Sequence, residues 1–137
     1  RRTFGGRLFL VAEDNEINAE ILCELLSMYG AKTVVRQDGA QAVRAFAEAA
    51  PGTYDAILMD VQMPEMNGYE ATRAIRSMER PDAAVIPIIA MTANAFAEDV
   101  KAAMEAGMTA HVAKPIDVEI LRGSLRNVLN GSGKGRD

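Results

Sequence analysis

The sequence predicts an α/β domain, a doubly wound five-stranded parallel sheet with five helices spread over both faces. Two observations predict it. Short apolar runs stand near 8–13, 32–36, 56–60, 86–91 and 111–113, and each is followed by a segment whose apolar residues recur at helical spacing. Five strand-helix repeats with one helix between successive strands fit a parallel sheet, because a parallel neighbour is reached only by a crossover that lays a helix on a face.

Each element has its own justification. The first strand, Leu8-Phe9-Leu10-Val11-Ala12, lacks a polar residue, as a strand covered on both sides should. In the first helix Ile17, Ile21, Leu22, Leu25 and Met28 share a face expected to point inward, and Gly30 stands where a left-handed cap would end it. After the second strand, Asp38 and Gln41 form a capping pair. Val43, Phe46, Ala47 and Ala50 follow at i, i+3, i+4 and i+7, and Pro51-Gly52 stops that helix. The third strand runs to Asp60, and Asn67-Gly68-Tyr69-Glu70 opens the third helix by the same capping logic. The fourth helix is expected to bury Phe96, Val100, Ala103 and Met104 before Gly107. The fifth, from Asp117, directs Val118, Leu121, Leu125 and Val128 inward until Asn130-Gly131.

Composition narrows the function classes. The chain has 137 residues, 49% hydrophobic and 25% charged, which suits one soluble domain. Aromatic residues make up 5% and Trp is absent, so no base-stacking platform is indicated. A net charge of −4 argues against a nucleic-acid groove, and no apolar stretch is long enough to span a bilayer, so neither nucleic acid nor membrane is an expected contact. The lone Cys23 cannot pair internally, which fits a reducing cytoplasm. Arg1 in first position suggests a segment of a longer protein, with 1–6 as a flexible linker, 7–129 as the domain and 130–137 as a flexible tail.

The chemistry gathers at the strand ends. Glu13-Asp14 follows the first strand, Asp60 ends the third, Thr92 follows the fourth and Lys114 the fifth, so all fall on the carboxyl-end rim where doubly wound sheets bind ligands. With the expected flavodoxin-like order 2-1-3-4-5 the acids also flank the point where the connections reverse. Carboxylates at the ends of buried runs need a partner or a metal. Two such charges about 5 Å apart repel by roughly 3 kcal/mol at an effective dielectric near 20. A hard divalent cation relieves that repulsion, and oxygen donors without a His or Cys cluster favour Mg²⁺. Lys114 adds a positive charge and Thr92 a hydroxyl, a combination that stabilises a phosphoryl group in transfer, with Asp60 as the nucleophile. Plainer roles compete: Asp14 as N-cap of the first helix, and Thr92 as cap of the fourth.

These residues resemble the receiver domains of two-component response regulators. Val11-Ala12-Glu13-Asp14-Asn15 is similar to the family's acidic pair and Met59-Asp60-Val61-Gln62-Met63-Pro64-Glu65-Met66-Asn67-Gly68 to its phosphoacceptor loop. Met91-Thr92-Ala93 resembles its switch hydroxyl, and Ala113-Lys114-Pro115 its lysine-proline turn. The wording at 13–18 and 67–73 is similar to receivers of hybrid sensor histidine kinases, whose parent chains are in some cases membrane-anchored. The resemblance implies a phosphorelay switch in which a histidine kinase or histidine phosphotransfer domain gives its phosphoryl group to Asp60. It also implies metal contacts from Asp14, Asp60 and the Gln62 backbone carbonyl, with Glu13 acting through water. Lys114 and Thr92, with the Ala93 N–H, would hold the phosphoryl group, Pro115 would follow a cis peptide, and signal would leave through the fourth and fifth helices. Gln62 and Asn94 border the site.

His111 departs from the pattern, standing where receivers usually carry an aromatic residue, and is left out of the expected site. Three rivals share the architecture. An aspartyl phosphatase needs an acid two residues after its nucleophile, where Gln62 stands. A flavin module would have its phosphate repelled by Glu13-Asp14. A receiver-like domain that only binds partners is the third. Whether the isolated unit counts as an enzyme, with slow self-dephosphorylation, and whether it forms a homodimer are left open by the residues.

Overall fold

The computed structural model describes residues 3–93 and 96–131; Asn94 and the tail from Ser132 lie outside them. Strands and helices alternate: β1 (Leu8–Ala12), α1 (Glu16–Met28), β2 (Lys32–Arg36), α2 (Gly39–Glu48), β3 (Ala56–Asp60), α3 (Gly68–Arg76), β4 (Ile88–Thr92), α4 (Ala97–Ala106), β5 (Ala110–Ala113) and α5 (Val118–Gly131). All pairs are parallel and the order is β2-β1-β3-β4-β5. Ala12 is in register with Met59, Asp60 with Met91 and Thr92 with Ala113, which brings the polar strand ends to one rim. No helix among the described residues is long and apolar enough to cross a membrane.

The strands divide the core into two layers. Their period of two sends Leu10, Ile57, Met59 and Ile88 to one face, against Ala42 and Phe46 of α2, Ala71 and Ile75 of α3 and Ala103 of α4. Phe9, Val11, Leu58, Ile89 and Met91 go to the other, against Leu22 and Leu26 of α1 and Leu121 and Leu125 of α5. Central strands buried on both faces therefore read as unbroken apolar runs, whereas β2 and β5, at the edges, are only partly buried.

The expected helix faces are corrected in three places. In α1 the sheet receives Ala19, Leu22 and Leu26, while Ile17, Ile21 and Met28 are 67%, 52% and 67% exposed. In α4 it receives Ala103 and Ala106, leaving Phe96 and Met104 outside. In α2 Ala42 and Ala45 join Phe46, and Ala47 and Ala50 are exposed. The physical reason is common to all. A helix lies close to a sheet along its small residues, so the bulkiest apolar stripe is not necessarily the buried one. Phe4, within the segment read as linker, is also buried, its ring edge-on to Phe9 and Tyr29 at 5.6 and 6.2 Å between centroids. That burial offsets the flexibility suggested by Gly5-Gly6.

Local signals set the ends that matter. Asn67 and Glu70 form a reciprocal capping box on α3, and Asp38 accepts the Gln41 N–H at α2. Between them the loop after β3 is pinned tightly. The Gly68 N–H donates to Val61 O at 2.9 Å and the Gly39 N–H to Met66 O at 3.2 Å. A Cβ on either glycine would overlap a backbone carbonyl oxygen, that of Asp60 for Gly68 and that of Met66 for Gly39. Within the loop the Met66 N–H returns to Pro64 O at 2.7 Å around Glu65, whose φ is 68°. Such a γ-turn on a residue with a Cβ is rare and strained.

Candidate functional site

Each site residue owes its position to the end of a strand. Glu13 follows β1 and is 2% exposed, its N–H donating to Arg36 O on β2. Asp60 is the last residue of β3 and 4% exposed. Asp14 is exposed. One oxygen from each of Glu13, Asp14 and Asp60 lies within 4.8 Å of the others. Lys114 arrives from the end of β5, beyond which the Lys114–Pro115 peptide is cis. Its ammonium bridges the two buried acids, 3.1 Å from Glu13 Oε1 and 3.2 Å from Asp60 Oδ1. The other Glu13 oxygen accepts the Asn15 N–H at 3.1 Å.

Burial dominates the electrostatics of this group. It raises the Asp60 carboxyl from 3.8 to about 6, the Glu13 charge adding to the rise while Lys114 and the Gln62 N–H oppose it. For Lys114 burial acts downward, but the hydrogen bond to Glu13 and the charges of Asp60 and Glu13 outweigh it and hold the ammonium above its ordinary value. Three carboxylates against one ammonium leave the cluster short of positive charge. Oxygen donors at this mutual distance, with no His or Cys among them, are the donor set that a hard divalent ion such as Mg²⁺ takes.

The structure brings Glu13, Asp14, Asp60, Gln62, Ala93 and Lys114 together around a cleft of about 250 Å³. Thr92 ends β4 on the same rim and is 9% exposed, but it lines a separate narrow crevice beneath α4. The competing cap roles go elsewhere: Asn15 caps α1 and Phe96 stands at the N-cap of α4. His111 is exposed on β5 and faces the α4 crevice rather than the acids. Sequence reasoning missed Asn15 and Asn18, which line the cleft too. Their signal was the Asn-x-x-Asn spacing behind the acidic pair, with Asn15 Oδ1 accepting the Asn18 N–H at 2.9 Å. Beside the cleft lies a larger apolar hollow of about 430 Å³, walled by Ile21, Leu22 and Leu25 of α1 and by Pro115 and Ile116.

Comparison with known proteins converges on one family. The profile of the response regulator receiver domain matches residues 9–126. The chain is 38% identical over 126 residues to the peroxide stress-activated histidine kinase mak1 of Schizosaccharomyces pombe, and 42% identical over 114 residues to hybrid signal transduction histidine kinase I of Dictyostelium discoideum. Those alignments cover 91% and 82% of this chain but only 8% and 7% of the relatives. Among solved structures, the receiver domain of sensor histidine kinase PA1611 from Pseudomonas aeruginosa, which has a magnesium ion coordinated in its active-site cleft, superposes with a TM-score of 0.82 at 37% identity. That match covers 92% of this chain and 99% of that one. Chemotaxis protein CheY4 of Vibrio cholerae gives 0.81 at 25% identity, covering 89% and 98%. With the acid triad, the lysine and the strand order all in agreement, the chain belongs to the response regulator receiver domains of two-component systems.

Proposed function

We propose that Asp60 is the phosphoacceptor of a phosphorelay and takes its phosphoryl group from the phosphohistidine of a histidine kinase or histidine phosphotransfer domain. The observation that carries this reading is the Lys114 ammonium 3.2 Å from Asp60 Oδ1, beside two further carboxylates. One Asp60 oxygen attacks phosphorus, the P–N bond to the donor imidazole breaks, and its electron pair leaves with the nitrogen. Asp14, Asp60 and the Gln62 backbone carbonyl are the proposed holders of Mg²⁺. Glu13 acts through water, since its two oxygens already serve Lys114 and the Asn15 N–H. When bound, Mg²⁺ supplies the positive charge that offsets the incoming phosphoryl oxygens. Lys114 exchanges a carboxylate for a phosphoryl oxygen, and the Thr92 hydroxyl with the Ala93 N–H receives another.

Acetyl phosphate with Mg²⁺ tests this reading by intact mass: one phosphate per chain is expected, none when the metal is chelated beforehand, with no sustained turnover of phosphate esters. Repeated turnover would instead make the protein a phosphatase. The residues from about 7 to 129 are proposed to suffice for the reaction, in the cytoplasmic part of a hybrid kinase.

A protein donor must bring its imidazole into contact with Asp60, so it necessarily covers the neighbouring rim. The apolar hollow and the exposed Ile17 and Ile21 provide that landing. Ile21→Asp is expected to leave acetyl phosphate labelling unchanged and to slow transfer from a phosphorylated histidine donor at least tenfold. Equal rates for wild type and variant with the protein donor would remove α1 from the contact.

A further inference from the structure

The two ends of α4 are held very differently. At its C-terminal end Gly107, at φ 106°, closes the helix with N–H bonds from Gly107 and Met108 to Met104 O and Ala103 O at 3.0 and 2.9 Å. Arg76 of α3 then clamps the turn, donating to Gly107 O at 2.9 Å, to Ala83 O at 3.0 Å and to Thr109 Oγ1 at 3.4 Å. Thr109 in turn accepts the Ile88 N–H at 3.0 Å and donates its own N–H to Ile88 O at 2.7 Å. At the opposite end, Phe96 supplies no capping side chain. There the first turn is met from α3 by the Tyr69 hydroxyl, which donates to Asp99 O at 3.5 Å.

Tyr69 and Thr92 also share the crevice under α4, with Asp99, Val100, Ala103 and His111, and it is too narrow to hold a water molecule. Movement of Thr92 toward the cleft would open a void there that no water fills comfortably, and closing it falls to a neighbouring side chain. Tyr69 is half-buried in place; His111 is exposed.

We propose that α4 is a lever pivoting on the Arg76–Gly107 clamp and latched at its first turn by Tyr69, and that this α3 latch, rather than His111, couples Thr92 to the surface of α4. The proposal rests on the phosphoacceptor reading above for its trigger. Its mechanism is the bias of a local opening, which needs only a weak tie at the moving end.

Residue-resolved amide hydrogen exchange on the full chain tests it, comparing wild type with Tyr69→Phe, His111→Ala and Arg76→Lys, each with and without Mg²⁺ and beryllium trifluoride. In the untreated protein Tyr69→Phe is expected to speed exchange about fivefold across 98–102, the loss of one hydrogen bond, and to leave 104–109 unchanged. Beryllium trifluoride should produce the same pattern in wild type and add little in Tyr69→Phe. Arg76→Lys should instead speed exchange at 104–109, and His111→Ala should match wild type. An unchanged Tyr69→Phe profile, an acceleration spread evenly along α4, or a His111→Ala effect equal to that of Tyr69→Phe overturns the latch. Failure of beryllium trifluoride to bind wild type would refute the phosphoacceptor reading alone, because the untreated comparisons still decide the latch.

Discussion

Asp60→Asn is expected to abolish acid-labile phosphorylation outright and, at neutral pH, to make the metal-free domain more stable. The first effect follows because the amide offers no anionic oxygen for attack at phosphorus. The second follows from burial. An unfolded Asp60 ionises near 3.8, the folded one near 6, so between those values the folded state holds a proton that the unfolded state has lost. Stability therefore falls as pH rises from 3.8 to 6, and the full penalty persists above 6. That interval corresponds to at most about 3 kcal/mol, a net figure in which the attraction of Lys114 for the Asp60 carboxylate is already counted. Thermal unfolding without metal should show Asp60→Asn several degrees above wild type at pH 7.5, with the gap closing toward pH 4. Mg²⁺ should raise the wild-type midpoint and shift the variant far less. Phosphate on the variant in acid-labile form would refute the nucleophile, and a lower midpoint at pH 7.5 would refute the electrostatic cost.

Gly68→Ala is expected to cost about 3 kcal/mol and to lower the thermal midpoint by roughly 10 °C, a large penalty for one methyl group at a helix start. Helix propensity alone points the other way, since Ala exceeds Gly by up to about 1 kcal/mol. Space decides the sign. The new Cβ would overlap the Asp60 carbonyl oxygen and sit 3.0 Å from Val61 Cα, both backbone atoms held by the β3 ladder and by the Gly68 N–H bond to Val61 O. The chain can yield only by moving the segment that carries Asp60. Labelling by acetyl phosphate should therefore slow along with the loss of stability, and a variant that melts like wild type would show the approach to be looser than described.

The alternation of strands and helices and the acid rim were legible because both depend on local patterns: unbroken apolar runs for β1, β3 and β4, and charged residues where those runs stop. The capping box of Asn67 and Glu70 was equally readable, since its partners are three residues apart. What escaped were choices made by the third dimension. Ile17 and Ile21 look like core until the sheet is present to select Ala19, Leu22 and Leu26. Thr92 was placed on the rim by its position at a strand end, but that it also lines the crevice under α4 with Tyr69, Val100 and His111 depends on contacts between distant segments. The Arg76 clamp joins residues up to 33 positions apart, a separation that no periodicity encodes.

Phe4 sets where any preceding chain would join the domain. Its amide is tied to Tyr29 O and its ring to the start of β1, so the incoming chain enters at the floor of the sheet, the pole opposite the acids. Because α5 leaves the rim after Lys114 and runs back down the sheet to Gly131, the outgoing chain departs from that same pole. Any flanking segments would act as two leashes on one side, leaving the body free to swivel and offer its reactive mouth to a visiting donor without either leash crossing it.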